Sequence, residues 1–579
     1  MINPIWGYEA DVVVIGSGAT GLPAAIAAIE GGASVILVEA NYDVGGHAAV
    51  SGGNLAIGGG NSRQKAAGIE DSPDLVFSDL TDWSVVESNG FADYRYNDRE
   101  IIRAFADQSA PTVDWLMDHG VVFVDIPPDN RGAGATGNSA PRENHLAAMG
   151  WVQWQTGRAQ PPERQATTSS GIGLVRPLEA EARKLGVQIL LQHRMTDIIR
   201  EEWTSGRVLG IRATNQDTTV NIRARKGVII GTGGSTGNVN FRRMFDPRLT
   251  EEYCGVAGEP WTVQDASGEI AAIAIGASLW GAANQTGEFG SGITKAEKIG
   301  CQYGYRNTTW QPSSPVFPLA RATGLLVQDW QDVILVNQAG RRFYDETQGQ
   351  YTSNNYLALE DYVPHSYRNA AKIKYKARNF INAALAGTGQ AVNGGGPIWA
   401  IFDAAAVERE EWKTDPPYVD IAEGFFFSAN TIAELARAIK NRFQRWPMPP
   451  EVLEETIARY NSFVDSGVDE DFEKPSPKYR IGTPPFYAAW STPVLHDTRA
   501  GLRINAECQV VDLSGQVIPG LYCGGESAGG FSMHGLARCV VQGRIAGMNA
   551  AAETPFEIVA TNGLERGSEL APAHAHAAI

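Results

Sequence analysis

An α/β fold built on a parallel sheet is what this sequence predicts. Three stretches carry the prediction: Val12 to Ile15 leading into GSGATG, KGVIIGTGGSTGN at Lys226 to Asn238, and IPGLYCGGESAGG at Ile518 to Gly530. Each is an apolar run that opens into a glycine turn, the pattern of a buried parallel strand ending at a ligand-facing loop. The chain of 579 residues exceeds what one core serves and implies roughly two domains. With 43% hydrophobic and 20% charged residues it has ordinary globular composition, which excludes disorder and collagen-like structure.

The first stretch is the most explicit. Gly16, Gly18 and Gly21 follow the strand, an Ala-rich helical segment comes next, and a second strand, Val35 to Val38, ends at Glu39. This is a complete βαβ dinucleotide unit. Gly16 permits the turn, Gly18 lets the backbone approach a pyrophosphate, and Gly21 lets the helix pack on the strand, while Glu39 is placed for ribose hydroxyls. Ala19, Thr20 and Ala40 complete this part of the predicted cofactor site.

The residues after Glu39 do not continue as a nicotinamide domain. Two glycine pairs, Gly45-Gly46 and Gly52-Gly53, suit close backbone approach to a large flat ligand, with His47 and Ser51 between them. The second main stretch adds Thr232, Gly233, Gly234 and Asn238, and the third adds Gly525 and Glu526. Three separated glycine turns converging on one extended cofactor, with no second GxGxxG and acid, point to FAD.

Composition narrows the partners. Sixty-five acidic against 48 basic residues give a net charge of -17, which repels nucleic acid and anionic lipid. The longest apolar stretch, Ile270 to Ala283, is too short to span a bilayer and contains Gly276, so a buried helix is expected there. No export signal is read at the amino end, and a cytoplasmic location is expected. The five cysteines lack C-x-x-C spacing and are expected reduced, with no zinc, haem or other metal site.

Several motifs resemble the flavoprotein superfamily of fumarate reductase, succinate dehydrogenase and 3-ketosteroid dehydrogenase. They are GSGATG with Glu39, GGHAAVSGGN, VDWLMDHGV, KGVIIGTGGSTGN, ILVNQAGRRFYDE, PPFYA and GLYCGGESAGG, in the superfamily's order from end to end. The resemblance implies a discontinuous Rossmann-like FAD-binding domain of the glutathione-reductase type, residues 1–289 and 476–560, with an α+β capping domain inserted at 290–475. Residues 561–579 are expected to form a mobile tail. The flavin is expected to be noncovalent, because GGHAAVSGG has one residue fewer between glycine pairs than the reductase pattern that carries a histidine link at the place of His47.

The resemblance also implies catalytic positions. SMHGLARC resembles a reductase segment whose arginine grips a substrate carboxylate, which maps onto Arg538, while HDTRAG keeps one histidine of the family's pair as His496. The reductase proton donor, an arginine eight residues before Asn337, falls on Asp329. In the ketosteroid branch tyrosines do this work, and Tyr351 (base, with Tyr344 and Tyr356 as competitors) and Tyr487 (enolate donor) are the counterparts. The helix beginning near Arg538 is expected to face the flavin with its amino end, and Arg538 and Val541 are counted among the cofactor contacts. The expected enzyme is an FAD-dependent oxidoreductase that introduces or reduces a C=C bond beside a ketone or carboxyl group, served by a separate electron acceptor or donor. The alternatives are a fumarate-reductase-like enzyme acting on an unsaturated carboxylate and, from another class, a flavin-bearing electron carrier.

Overall fold

The computed structural model describes residues 4–81, 97–130, 139–149, 170–245, 249–253, 258–281, 293–294, 296–303, 310–343, 345–347, 396–495, 498–531, 533 and 535–556. The amino-terminal unit is β1 (Tyr8–Ile15), α1 (Gly21–Glu30) and β2 (Val35–Val38). Residues Val12–Val14 and Leu37 are fully buried, as central strands covered on both faces require. β3 (Gln188–Leu190) extends the sheet beyond β2, and β4 (Arg194–Arg200) and β5 (Val208–Asn215) form an antiparallel hairpin that leads into the long β6 (Thr218–Ile230).

Strand β6 does two jobs. Its first half pairs with the hairpin strand β5, and its second half pairs in parallel with β1 on one side and with β11 (Val517–Cys523) on the other. Ile15 lies opposite both Val38 and Ile230, and Ile230 lies opposite Cys523. Four parallel strands therefore end at one level, and the loops after them emerge on one edge of the sheet. This is why glycine turns hundreds of residues apart meet.

The carboxyl-terminal helix Leu536–Ala552 packs on α1 rather than on the sheet alone. A Cβ at Gly543 would stand 2.2 Å from the Thr20 carbonyl oxygen, and one at Gly547 would stand 2.3 Å from that of Ala24. The small residues of this helix thus set the distance between the two helices.

A second, antiparallel sheet joins β7 (Ile334–Val336), β8 (Trp399–Asp403), β10 (Phe486–Trp490) and β9 (Phe426–Ala429), in that spatial order. Alternation along its strands builds two cores. Leu335, Ala400, Phe402, Tyr487 and Ala489 face one, and Ile334, Val336, Trp399, Ile401, Ala488 and Trp490 face the other beneath the helix Pro450–Ser466.

The apolar stretch 270–283 is not one buried helix. The helix Ser267–Ala274 ends there because Gly276 (φ 100°) takes a left-handed conformation, and a short strand follows at Leu279–Trp280. Ile270 and Ile273 are 46% and 37% exposed. Among the described residues no helix is long and apolar enough to cross a membrane, and no cluster of three metal-ligating side chains occurs.

Candidate functional site

The strand-end loops line a cavity that is partly open to solvent. Its wall is built from residues 15–20, Val38 to Asn41, Gly46 to Asn54 except Ala49, His193 to Met195, Gly231 to Gly233, Trp261 to Asp265, Ser267, Glu526, Gly535, Leu536 and Cys539.

The three glycines of the first turn have different neighbours. A Cβ on Gly16 (φ 90°) would meet the Gly231 carbonyl oxygen at 2.4 Å, and a Cβ on Gly21 would meet the Gly16 oxygen at 1.7 Å, so protein packing requires both. A Cβ on Gly18 would meet nothing nearer than the Gly45 oxygen at 3.7 Å. The space before Gly18 is the cavity itself, and the amino end of α1 opens onto it. Backbone amides, the helix dipole and an absent side chain together suit a pyrophosphate.

Glu39 closes the next part of the wall. Its carboxylate accepts from Ser17 N (2.9 Å), Ser17 Oγ (2.5 Å) and Asn41 N (2.8 Å), which fixes it at the cavity edge with lone pairs left for ribose hydroxyls. The Asn41 side chain donates to the Trp261 carbonyl (2.8 Å) and Trp261 Nε1 donates to the Gly46 carbonyl (2.9 Å), tying three wall segments together.

The second and third glycine turns are joined by Ser527. Its hydroxyl accepts from Gly233 N (3.1 Å) and Gly234 N (3.3 Å) and lies 3.0 Å from Thr232 Oγ1. Burial pushes the Glu526 carboxyl up to about 7, against the pull of Arg538, the Gln264 amide, the Thr498 N–H and Arg499. Glu269, behind Thr232, is fully buried, and burial lifts it to about 8.

Of the residues singled out from sequence, Gly16, Gly18, Ala19, Thr20, Glu39, Ala40, Gly46, His47, Ser51, Gly52, Gly53, Thr232, Gly233 and Glu526 line the cavity. The others serve it from behind. Gly21 packs on the strand turn; Gly234 and Gly525 admit Thr498 and Thr20, whose hydroxyls would lie 2.5 and 2.2 Å from an added Cβ. Asn238 accepts from Phe241 N (3.0 Å) as a helix cap, and Val541 is wholly in the core.

Arg538 also lies behind the wall, 1% exposed, with Nη2 donating to the Thr498 carbonyl (2.9 Å) and Nη1 to that of Phe531. Tyr487 is stacked on Phe402 (ring centroids 5.3 Å, 18°) in the second sheet's core and does not line the cavity, because its strand position alternates to that face. Asp329 sits in a turn outside the cavity, its N–H donating to Glu410 (2.6 Å). Tyr344, Tyr351, Tyr356 and His496 lie outside the described residues.

Sequence reading missed His193 to Met195 and Trp261 to Asp265. The first segment is placed by backbone bonds, Glu39 N to Leu190 O (2.9 Å) and His193 N to Glu39 O (2.8 Å), which leave no side-chain signature. The second carries no glycine motif and reaches the wall only through the fold.

The residues present fit FAD: a cavity with a glycine turn at Gly18 that suits a pyrophosphate, the carboxylates of Glu39 and Glu526 in its wall, and glycine-rich segments between them. A family model described as an FAD binding domain matches residues 11–539. The chain is 27% identical over 560 residues to a fumarate reductase (cytochrome) of Shewanella frigidimarina, covering 93% of this chain and 77% of the relative. It is 26% identical over 590 residues to a 3-oxosteroid 1-dehydrogenase of Mycolicibacterium smegmatis, covering 90% and 92%. Its fold superposes on that of a 3-ketosteroid delta1-dehydrogenase from Sterolibacterium denitrificans with a TM-score of 0.62 at 20% identity, covering 94% and 99% of the two chains. With the cavity, the glycine turns and the family match over most of its length, the chain belongs to the FAD binding domain family and is an FAD-dependent oxidoreductase.

Proposed function

We propose that the enzyme introduces or reduces a C=C bond beside a ketone or carboxyl group, with noncovalent FAD and a separate electron partner. The observation that carries this reading is the similarity, over nine-tenths of the chain, to relatives named for fumarate reduction and for 3-oxosteroid dehydrogenation. Fumarate and the product of 1-dehydrogenation share a C=C bond conjugated to a carbonyl carbon. FAD, when bound, supplies the two-electron acceptor or donor for such a bond. The protein itself must handle the proton and the carbonyl oxygen.

A C–H next to a carbonyl gives up its proton readily only when charge developing on the oxygen is met by donors. His496 is the proposed donor; two residues on in sequence, the Thr498 carbonyl accepts from Arg538 Nη2. Tyr351 is the proposed acid-base group. It lies five residues beyond Glu346 in sequence. His47 lines the cavity and is assigned to noncovalent contact.

The test offers saturated cyclic ketones with an artificial electron acceptor, and small unsaturated acids with an artificial donor. Turnover of one class is expected. Tyr351→Phe should lower that turnover by about 10² or more with FAD content unchanged, since general acid-base groups contribute on that order. A wild-type rate in Tyr351→Phe moves the proton role to another side chain.

A further inference from the structure

We propose that Gln264 is a positioning residue, which latches the second glycine turn to the third and holds Glu526 at the cavity wall as a hydrogen-bond acceptor for the cofactor. The inference rests on the FAD reading of the cavity and adds a residue that no sequence motif marks.

Gln264 is 6% exposed and has φ 46°, and Ala266, two residues on, has φ 61°. Two non-glycine residues in the left-handed region within three positions cost on the order of 1 kcal/mol or more each and persist only where the surroundings over-determine them. The surroundings do so here. Gly237 N donates to the Gln264 carbonyl (3.0 Å), Ala266 N donates to the Gly234 carbonyl (3.0 Å), and the Asn238 side chain donates to the Asp265 carbonyl (2.8 Å).

That backbone aims the side chain. Nε2 donates to the Gly233 carbonyl (2.5 Å) and to Glu526 Oε2 (2.8 Å), while Oε1 accepts from Thr236 Oγ1 (2.9 Å). The orientation of the amide is unambiguous, because a carbonyl and a carboxylate on one side demand the NH₂ group and a hydroxyl on the other suits the oxygen. Both amide hydrogens are spent on two different glycine turns. The donor facing Glu526 favours its ionised form, in which it can only accept.

The groups around Glu526 come from three directions. Arg538 and Cys539 lie on the carboxyl-terminal helix, Thr498 N–H and Arg499 on the preceding strip, and Gln264 on the opposite loop. Burial raises Glu526 to about 7, while Arg538, the Gln264 amide, the Thr498 N–H and Arg499 pull it down.

The experiment follows FAD release from the holoprotein, read as fluorescence of freed flavin, from pH 5.5 to pH 9 in five proteins: wild type, Gln264→Leu, Gln264→Glu, Glu526→Gln and the Gln264→Leu/Glu526→Gln double variant. Wild-type affinity is expected to rise with pH as Glu526 ionises, and Glu526→Gln is expected to show no such rise. Gln264→Leu should displace the rise to higher pH and weaken binding tenfold or more at pH 7. Gln264→Glu, nearly isosteric, sets two carboxyls against each other and should bind FAD at low pH and release it as pH rises. A wild-type pH profile in both Gln264 variants, or the same displacement in a Gln264→Leu/Glu526→Gln double variant as in Gln264→Leu, overturns the proposal. Equal loss at every pH in Gln264→Glu assigns a merely structural role and overturns it as well. Failure of wild type to hold FAD would instead overturn the cofactor reading.

Discussion

Gly18→Val is expected to yield a folded, colourless protein. The added side chain projects from a position where protein atoms leave it room, the nearest being the Gly45 carbonyl oxygen at 3.7 Å, and it fills the space that the cavity keeps for a pyrophosphate. FAD content should fall from near stoichiometric to near zero while the thermal transition of the apoprotein stays within a few degrees of wild-type apoprotein. Gly21→Val makes the opposite comparison. Its Cβ would collide with the Gly16 carbonyl oxygen at 1.7 Å, so that variant should lose the fold together with the flavin. A Gly18→Val protein that stays yellow would remove the turn from the cofactor site. One that fails to fold would remove the distinction between the two glycines.

Glu346→Gln should destabilise the second sheet's unit by about 3–5 kcal/mol, the usual cost of breaking a buried ion pair from one side. Glu346 is fully buried and meets Arg342 through two bonds, Nε to Oε1 (2.8 Å) and Nη2 to Oε2 (2.9 Å), with Lys474 Nζ at 3.3 Å. A neutral amide keeps the shape but takes the carboxylate charge away from two buried cations, while Arg342 Nη2 still donates to Asp469 at 2.7 Å and Lys474 Nζ to the Trp330 and Val333 carbonyls. Burial alone would raise the Glu346 carboxyl, yet the charges of Arg342 and Lys474 outweigh it and hold the group at about 2. Because the folded value lies below the unfolded one of about 4.5, this contribution is complete above pH 4.5 and fades as pH falls toward 2. Denaturant unfolding at pH 7 and pH 3 measures both effects. A Glu346→Gln midpoint equal to wild type at pH 7 contradicts the assignment.

Much of the cavity wall was legible because its requirements are backbone requirements. Gly16 and Gly21 are forced by carbonyl oxygens within 2.4 Å of any side chain, and a sequence announces such positions by placing glycine there. Glu39 was legible from its distance along the βαβ unit. Gln264 was not, because a glutamine in left-handed conformation runs against local preference and only the bonds to Gly233, Glu526 and Thr236 explain it. The apolar stretch 270–283 misleads for a related reason. Hydropathy registers its apolar residues, but the helix stops before Gly276, and Ile270 and Ile273 lie on its exposed face. Tyr487 shows the limit of motif reading, since the PPFYA match placed the residue in order along the chain but not on which face of its strand it points.

The most direct test of the central claim is a single-turnover measurement without oxygen. The holoprotein, its flavin reduced with dithionite, is mixed with an unsaturated cyclic ketone or a small unsaturated acid while the visible flavin absorbance is followed. The account predicts that one of these classes restores the oxidised spectrum with one equivalent of saturated product or, where the equilibrium lies the other way, that the corresponding saturated compound bleaches the oxidised protein. A spectrum unchanged by every conjugated ketone and acid, in a protein whose FAD remains bound and responds to artificial electron donors, would contradict it.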